Sequence, residues 1–190
     1  MPVVHAFDPP ERFVAGTVGE PGARTFFLQA REGARVVSVS LEKQQVAVLA
    51  ERVDELLDEV MASSESETVV PAIAPYDLED SGPLEQPINE EFRAGTMTLS
   101  WDPDDERVVI EVFPVAPLVE GAEEGELEEP EPEEMLLVRM EPAYARAFVK
   151  RAELVVEAGR PPCPFCGLPI DADGHLCVRA NGFKRRDPVT

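Results

Sequence analysis

All three cysteines of this 190-residue chain, and one of its two histidines, fall within fifteen consecutive positions: Cys163 and Cys166 as Cys-x2-Cys, then eight residues, then His175-x-Cys177. Three thiols and an imidazole are the ligand count of a tetrahedral zinc site, and a Cys-x2-Cys turn places two sulfurs on one side of the ion. His175 and Cys177 are two apart, so in an extended segment both side chains project from the same face. Gly167 relieves the turn after Cys166, as in a zinc knuckle, and Asp171-Ala172-Asp173-Gly174 reverses the chain between the two pairs. Coordination worth roughly 10–16 kcal/mol can fold such a unit whatever its own apolar content. Four protein ligands close the coordination shell, so the expected Zn2+ is structural; catalytic zinc needs an open position. Two other readings stay open. One is a redox Cys-x2-Cys, which lacks its usual place at a helix start after a strand; the other is buried or disulfide-bonded cysteines without metal.

Upstream of this unit the apolar residues alternate in two ways. Residues 12–18, 24–30 and 35–41 read as short strands separated by turn signals at 19–22 and 31–33. The Pro21-Gly22 pair suits a type II turn, since proline presets the first central φ and glycine accepts a positive φ at the second. Val46, Leu49, Val53, Leu56, Leu57 and Val60 then recur at helical spacing among charged residues, which predicts an amphipathic helix over 42–62. A second β block follows. In residues 94–101, Met97, Leu99 and Trp101 alternate with Thr96, Thr98 and Ser100; the turn 102–105 leads into 107–113, and 135–140 supplies a further strand. A last helix is expected over 142–158, with Pro142 at its first turn, Tyr144, Phe148, Ala152 and Val155 on one face, and Gly159 as its terminator.

The expected fold class is therefore α+β: two three-stranded antiparallel blocks, two amphipathic helices and a C-terminal zinc-knuckle module. Residues 1–159 form the body and 160–190 the zinc module packed on it. Residues 1–11, with three prolines, read as an extended lead-in, and the proline-rich connector 71–87 resists assignment. Between Val119 and Glu134 lie nine glutamates and no basic residue, which predicts a solvated, disordered insertion or an acidic docking segment.

Charge narrows the function classes. The formal charge is −21, and the chain outside the glutamate run is still acidic, which argues against a duplex-binding surface spread over the protein. The local exception is Arg179-Ala-Asn-Gly-Phe-Lys-Arg-Arg186, a basic tail that either answers the protein's own acidic surface or contacts a nucleic acid or a protein partner. No apolar run approaches the ~20 residues of a spanning helix, and the first residues lack the pattern of a signal peptide, so the expectation is a cytoplasmic protein with no membrane association. Gly16-Thr-Val-Gly19-Glu-Pro-Gly22 has the look of a phosphate loop but lacks its Lys-Ser/Thr ending and runs into a strand, so its glycines read as turn formers. His5 has no nucleophile beside it in sequence, and 38 acidic residues leave no carboxylate pair distinguishable. No catalytic residue is assigned.

Residues 13–22, 24–30, 41–45 and 158–167, with Gly174-His-Leu-Cys177 and Asn181-Gly182, resemble the actinobacterial domain-of-unknown-function family numbered 3090. The resemblance spans nearly the whole chain apart from the connector and the glutamate run. It implies no activity; it implies a genomic association with a histidine-phosphatase-like protein and a phosphatidylinositol-kinase-like protein. Three functions follow as expectations. The first is a zinc-containing interaction or adaptor protein with a protein partner. The second is an enzyme or enzyme accessory acting with phosphatase-like or kinase-like partners, which a groove lined by Arg24, Lys43 and Arg139 would favour. The third is nucleic-acid binding through the zinc unit and the basic tail.

Overall fold

The hairpin-forming segments are where the alternation places them. The structure, a computed structural model, describes residues 3–63, 69–116, 133–159, 162–170, 174–177 and 179. Its strands are β1 (Val3–Phe7), β2 (Arg12–Val18), β3 (Thr25–Glu32), β4 (Arg35–Leu41), β5 (Glu90–Asp102), β6 (Arg107–Pro114) and β7 (Glu134–Met140); its helices are α1 (Lys43–Ala62) and α2 (Pro142–Glu157). Between β2 and β3 the Ala23 N–H donates to the Glu20 carbonyl at 2.9 Å and Gly22 has φ +97°, the turn geometry that Pro21-Gly22 predicts.

The two expected blocks are not separate. The meanders β2-β3-β4 and β5-β6-β7 are fused into one mixed seven-stranded sheet of order β1-β7-β6-β5-β4-β3-β2. Two parallel pairings make the fusion: β4 with β5, through Ser38↔Glu90 and Ser40↔Arg93, and β1 with β7, from Val3↔Glu134 to Phe7↔Val138. Parallel neighbours need a long crossover or a distant partner, so neither pairing leaves a hairpin signal in the sequence. Of the expected lead-in 1–11, residues 3–11 are accordingly more than that. Pro9 and Pro10 follow β1 and leave its ladder intact, and Phe7 at its end is fully buried.

β5 links the two halves by changing partner along its length. Its start pairs with β4 and its remainder with β6, and the register shifts between Ala94 and Met97. That one-residue slip puts Phe92 and Ala94 before it, and Met97, Leu99 and Trp101 after it, on the same core face. Above that face lie both helices, and one continuous core joins all seven strands to α1 and α2. α1 buries Val46, Leu49, Ala50, Val53, Leu57 and Val60, close to the stripe its periodicity predicts. α2 departs from expectation: Phe148 and Ala152 are buried and Phe148 stacks on Phe13 at 4.8 Å, but Tyr144 is 45% exposed while Arg146 is only 4% exposed. Gly159 does not take the positive φ of a helix terminator.

Residues 71–87, which carry no periodicity, form a strap with a single 3-10 turn at Tyr76–Leu78. Polar groups and one leucine hold it in place. Arg146 donates to the Pro71 carbonyl and to Asp54 and Asp58 of α1, so one buried guanidinium joins α2, α1 and the strap. Asp80 accepts from Arg12 Nε (2.6 Å) and Nη2 (2.9 Å) and from Arg151 Nη1 (2.8 Å), while Arg151 Nε donates to the Ala15 carbonyl of edge strand β2. Leu84 then packs with Val14 and Phe27 on the sheet face opposite the main core, in space left by Gly16. The buried Gln29 completes the fastening: its carbonyl accepts the Glu85 N–H at 2.7 Å and its amide donates to the Glu85 carbonyl at 3.1 Å.

Of the expected acidic insertion, only Glu133 and Glu134 lie within the described residues, and Glu134 opens β7. The rest of residues 119–134 lies outside them.

Candidate metal centre

The Cys-x2-Cys segment folds as a tight knuckle. The Cys163 N–H donates to the Leu168 carbonyl at 2.7 Å, the Gly167 N–H donates back to the Cys163 carbonyl at 2.8 Å, and Pro162 and Pro169 form an isolated antiparallel bridge. Gly167 supplies the positive φ, +75°, that this reversal requires. Cys163 and Cys166 sit in a turn and do not open a helix, which removes the usual setting of a redox pair.

This turn faces the second ligand pair. Cys163 Sγ lies 3.7 Å from Cys177 Sγ, Cys166 Sγ lies 3.2 Å from His175 Nε2, and the four ligand atoms all fall within 4.8 Å of one another. Two sulfurs on a tetrahedral zinc, each about 2.3 Å from it, are about 3.8 Å apart. A disulfide would need about 2.05 Å, and none of the three cysteines is disulfide-bonded. Cys163 and Cys177 are buried. The donor set, its spacing and its burial therefore fit a metal ion of the zinc type. Burial raises the Cys163 pKa, but the Cys166 and Phe165 N–H groups and the neighbouring thiols outweigh it and hold the value below that of an ordinary thiol. The Leu168 N–H lowers that of Cys166, while burial and the Cys177 and Cys163 sulfurs outweigh it and push the value up. Crowded sulfurs cannot all ionise cheaply without a cation among them.

A family model described as Protein of unknown function (DUF3090) matches residues 5–177. The chain belongs to this family. No curated protein and no solved structure shows significant similarity to it. The DUF3090 match runs from β1 through the whole sheet to Cys177, so the cysteine and histidine cluster lies inside the family's extent.

In this DUF3090 chain the other residues singled out in sequence are distributed as follows. His5 is not alone: its Nε2 lies 3.4 Å from Glu134 Oε2, and Glu91 is close enough to complete a three-residue group. The partners come from β5 and β7, about 85 and 130 positions away, beyond any local motif. Gly16 is a packing glycine in mid-strand, while Gly19 and Gly22 serve the turn with positive φ. Arg179 donates to the Phe165 carbonyl at 3.3 Å, within the metal unit, and residues 180–190 of the basic tail lie outside the described residues. Arg24 and Lys43 do line one cavity, but with Arg93; Arg139 is held elsewhere by Asp8, Asp102 and Asp105. Sequence reasoning missed Arg146 and the Arg12-Asp80-Arg151 group altogether. Arginines in amphipathic segments read as solvent-facing, and only the strap's return path buries them.

Proposed function

We propose that the protein is an interaction or adaptor module in which a structural Zn2+ held by Cys163, Cys166, His175 and Cys177 folds the C-terminal unit, residues 160–190, into a surface for a protein partner. One observation carries this reading: around four converging ligands, the described part of the unit turns large apolar side chains outward. Phe165, Leu168 and Leu176 are 62%, 56% and 83% exposed, so the metal and not a hydrophobic core has to hold the unit together. Exposed aromatic and aliphatic side chains on a rigid knuckle are the residue types that anchor protein interfaces. Four protein donors leave no open coordination position, which favours a structural over a catalytic metal.

Two measurements test the reading. Protein purified without chelator should carry about one equivalent of zinc, and less than half an equivalent together with unchanged folding of Cys163→Ser overturns the structural-zinc assignment. Affinity capture from the native host, read by mass spectrometry, should recover a partner that the Phe165→Ser/Leu176→Ser protein loses while keeping its zinc. Equal capture by that variant removes the knuckle from the interface.

A further inference from the structure

At the end of β4, where the chain enters α1, the sheet presents a cluster of positive charge. Arg24, Lys43 and Arg93 converge on a cavity of about 220 Å3, and a second of about 200 Å3 adjoins it across Arg24, Phe26 and Lys43. Their elements are distant in sequence: Arg24 precedes β3, Lys43 opens α1 and Arg93 lies in β5. The site exists because β5 joins β4 in parallel, with Arg93 paired to Ser40. Arg24 is held in place by its hydrogen bond to the Ala158 carbonyl (2.8 Å) and by the Phe26 ring, 5.2 Å from its guanidinium carbon. Arg93 is paired with Glu42, the one carboxylate in the cavity wall. Lys43 makes no ion pair among the described residues. Three cations against one carboxylate leave a surplus of positive charge on a chain of formal charge −21.

Two further features lie at the same junction. The first-turn amides of Lys43 and Gln44 precede the first intrahelical bond, from Val46 to Glu42, and so belong to the unsatisfied N–H groups of a helix start. Ser40, only 5% exposed, lines the cavity, and its hydroxyl has no hydrogen-bond partner among the described residues. Its Oγ is not sealed inside the protein, so the hydroxyl is open to a ligand beside the surplus of cations. The ligand chemistry that satisfies a hydroxyl, helix-start amides, an ammonium and two guanidinium groups together is a compact oxyanion with several acceptor oxygens.

We propose that Ser40, Lys43, Arg24 and Arg93, at the start of α1, form a binding site for a phosphate group, either inorganic phosphate or the phosphoryl end of a small phosphate monoester whose remainder occupies the adjoining cavity. Glu42, whose side chain is 64% exposed, gives up Arg93 to the dianion while its carboxylate goes on accepting the Gln45 N–H in the capping box. Gln45 keeps the helix start in place through its hydrogen bond from the Glu42 N–H at 2.8 Å and its own bonds to the Ala94 and Gly95 carbonyls. The site uses none of the metal ligands, so it stands or falls separately from the zinc reading.

The test is an NMR titration of the 15N-labelled, zinc-loaded full chain with inorganic phosphate and, in parallel, glycerol phosphate at constant ionic strength. Saturable shifts of the Lys43 and Gln44 amides and the Arg24 side chain are expected. Lys43→Gln should weaken binding about tenfold or more, the loss of one charge-assisted hydrogen bond, and Ser40→Ala severalfold, with both variants melting as the parent does. Tighter binding of glycerol phosphate assigns the ligand to the monoesters; equal binding assigns it to phosphate itself. The site is refuted by an absence of saturable shifts, by shifts confined to the basic tail, or by parental affinity in both variants. Zinc content measured after the titration separates these outcomes from loss of the metal.

Discussion

Asp80 is the residue on which the strap turns, because three hydrogen bonds from two arginines end on its carboxylate. The hydrogen bond from Arg12 lowers its pKa most; burial opposes, and the Gly82 N–H and the charges of Arg12 and Arg151 add to the lowering. A carboxylate with a depressed folded-state pKa contributes its full stabilisation above the unfolded value, about 3.9, and loses it as pH falls through the lower folded value. Asp80→Asn should therefore cost about 1–2 kcal/mol at neutral pH, and chemical denaturation should show the gap from the parent closing below about pH 4. Gly16 works by size. A Cβ there would stand 2.6 Å from the Leu84 side chain, so Gly16→Val should force Leu84 off Val14 and Phe27 at about 1–3 kcal/mol, with faster exchange of the Glu85 amide. Neither residue announces itself in sequence: an aspartate in a proline-rich stretch and a glycine before a turn both have commoner explanations. The metal ligands do announce themselves, because their chemistry depends on residue type and spacing within fifteen positions.

Among the elements, β1 and the metal knuckle make opposite demands. β1 is five residues long and half exposed, yet it ends in the fully buried Phe7 and pairs along β7. Phe7→Ala should cost about 3–5 kcal/mol in a urea melt and unzip the β1–β7 edge, seen as faster exchange of the β7 amides. A lead-in without structure would show neither effect. The knuckle, by contrast, buries little apolar surface. On the proposed structural-zinc reading, chelation should release the metal, collapse the signals of residues 162–177 toward random-coil positions and leave those of the sheet in place, a pattern read in one pair of NMR spectra. Hairpins and amphipathic helices were readable along the chain because their signals are local: alternation, turn residues and a 3.6 period. β1, the strap and the register slip in β5 were not, since each is defined by a partner many positions away.

At the scale of the whole molecule, one core joins both meanders and both helices, so the body should unfold in a single transition. Calorimetry should give equal calorimetric and van't Hoff enthalpies for the body, and Cys163→Ser should leave its midpoint within a few degrees of the parent. Two separated transitions would restore the picture of two independent β blocks. The fused sheet also explains where the candidate sites stand: β4 and β5 meet in parallel beneath the start of α1, the same junction that assembles Arg24, Lys43 and Arg93.

By itself, then, the sequence determined the α+β class, the two helices, the antiparallel hairpins and the set of three cysteines and one histidine that could hold a metal, all of which depend on residue type repeated over short spans. Tertiary structure alone decided that the two blocks are one mixed sheet, that an N-terminal strand closes its far edge, that a proline-rich connector is a strap held by buried and half-buried arginines, and that cations 19 and 50 residues apart share a cavity with Ser40. The physical reason is common to these cases. Parallel pairing and buried charge gain their free energy from partners distant in sequence, and no local pattern records a partner that only the fold supplies.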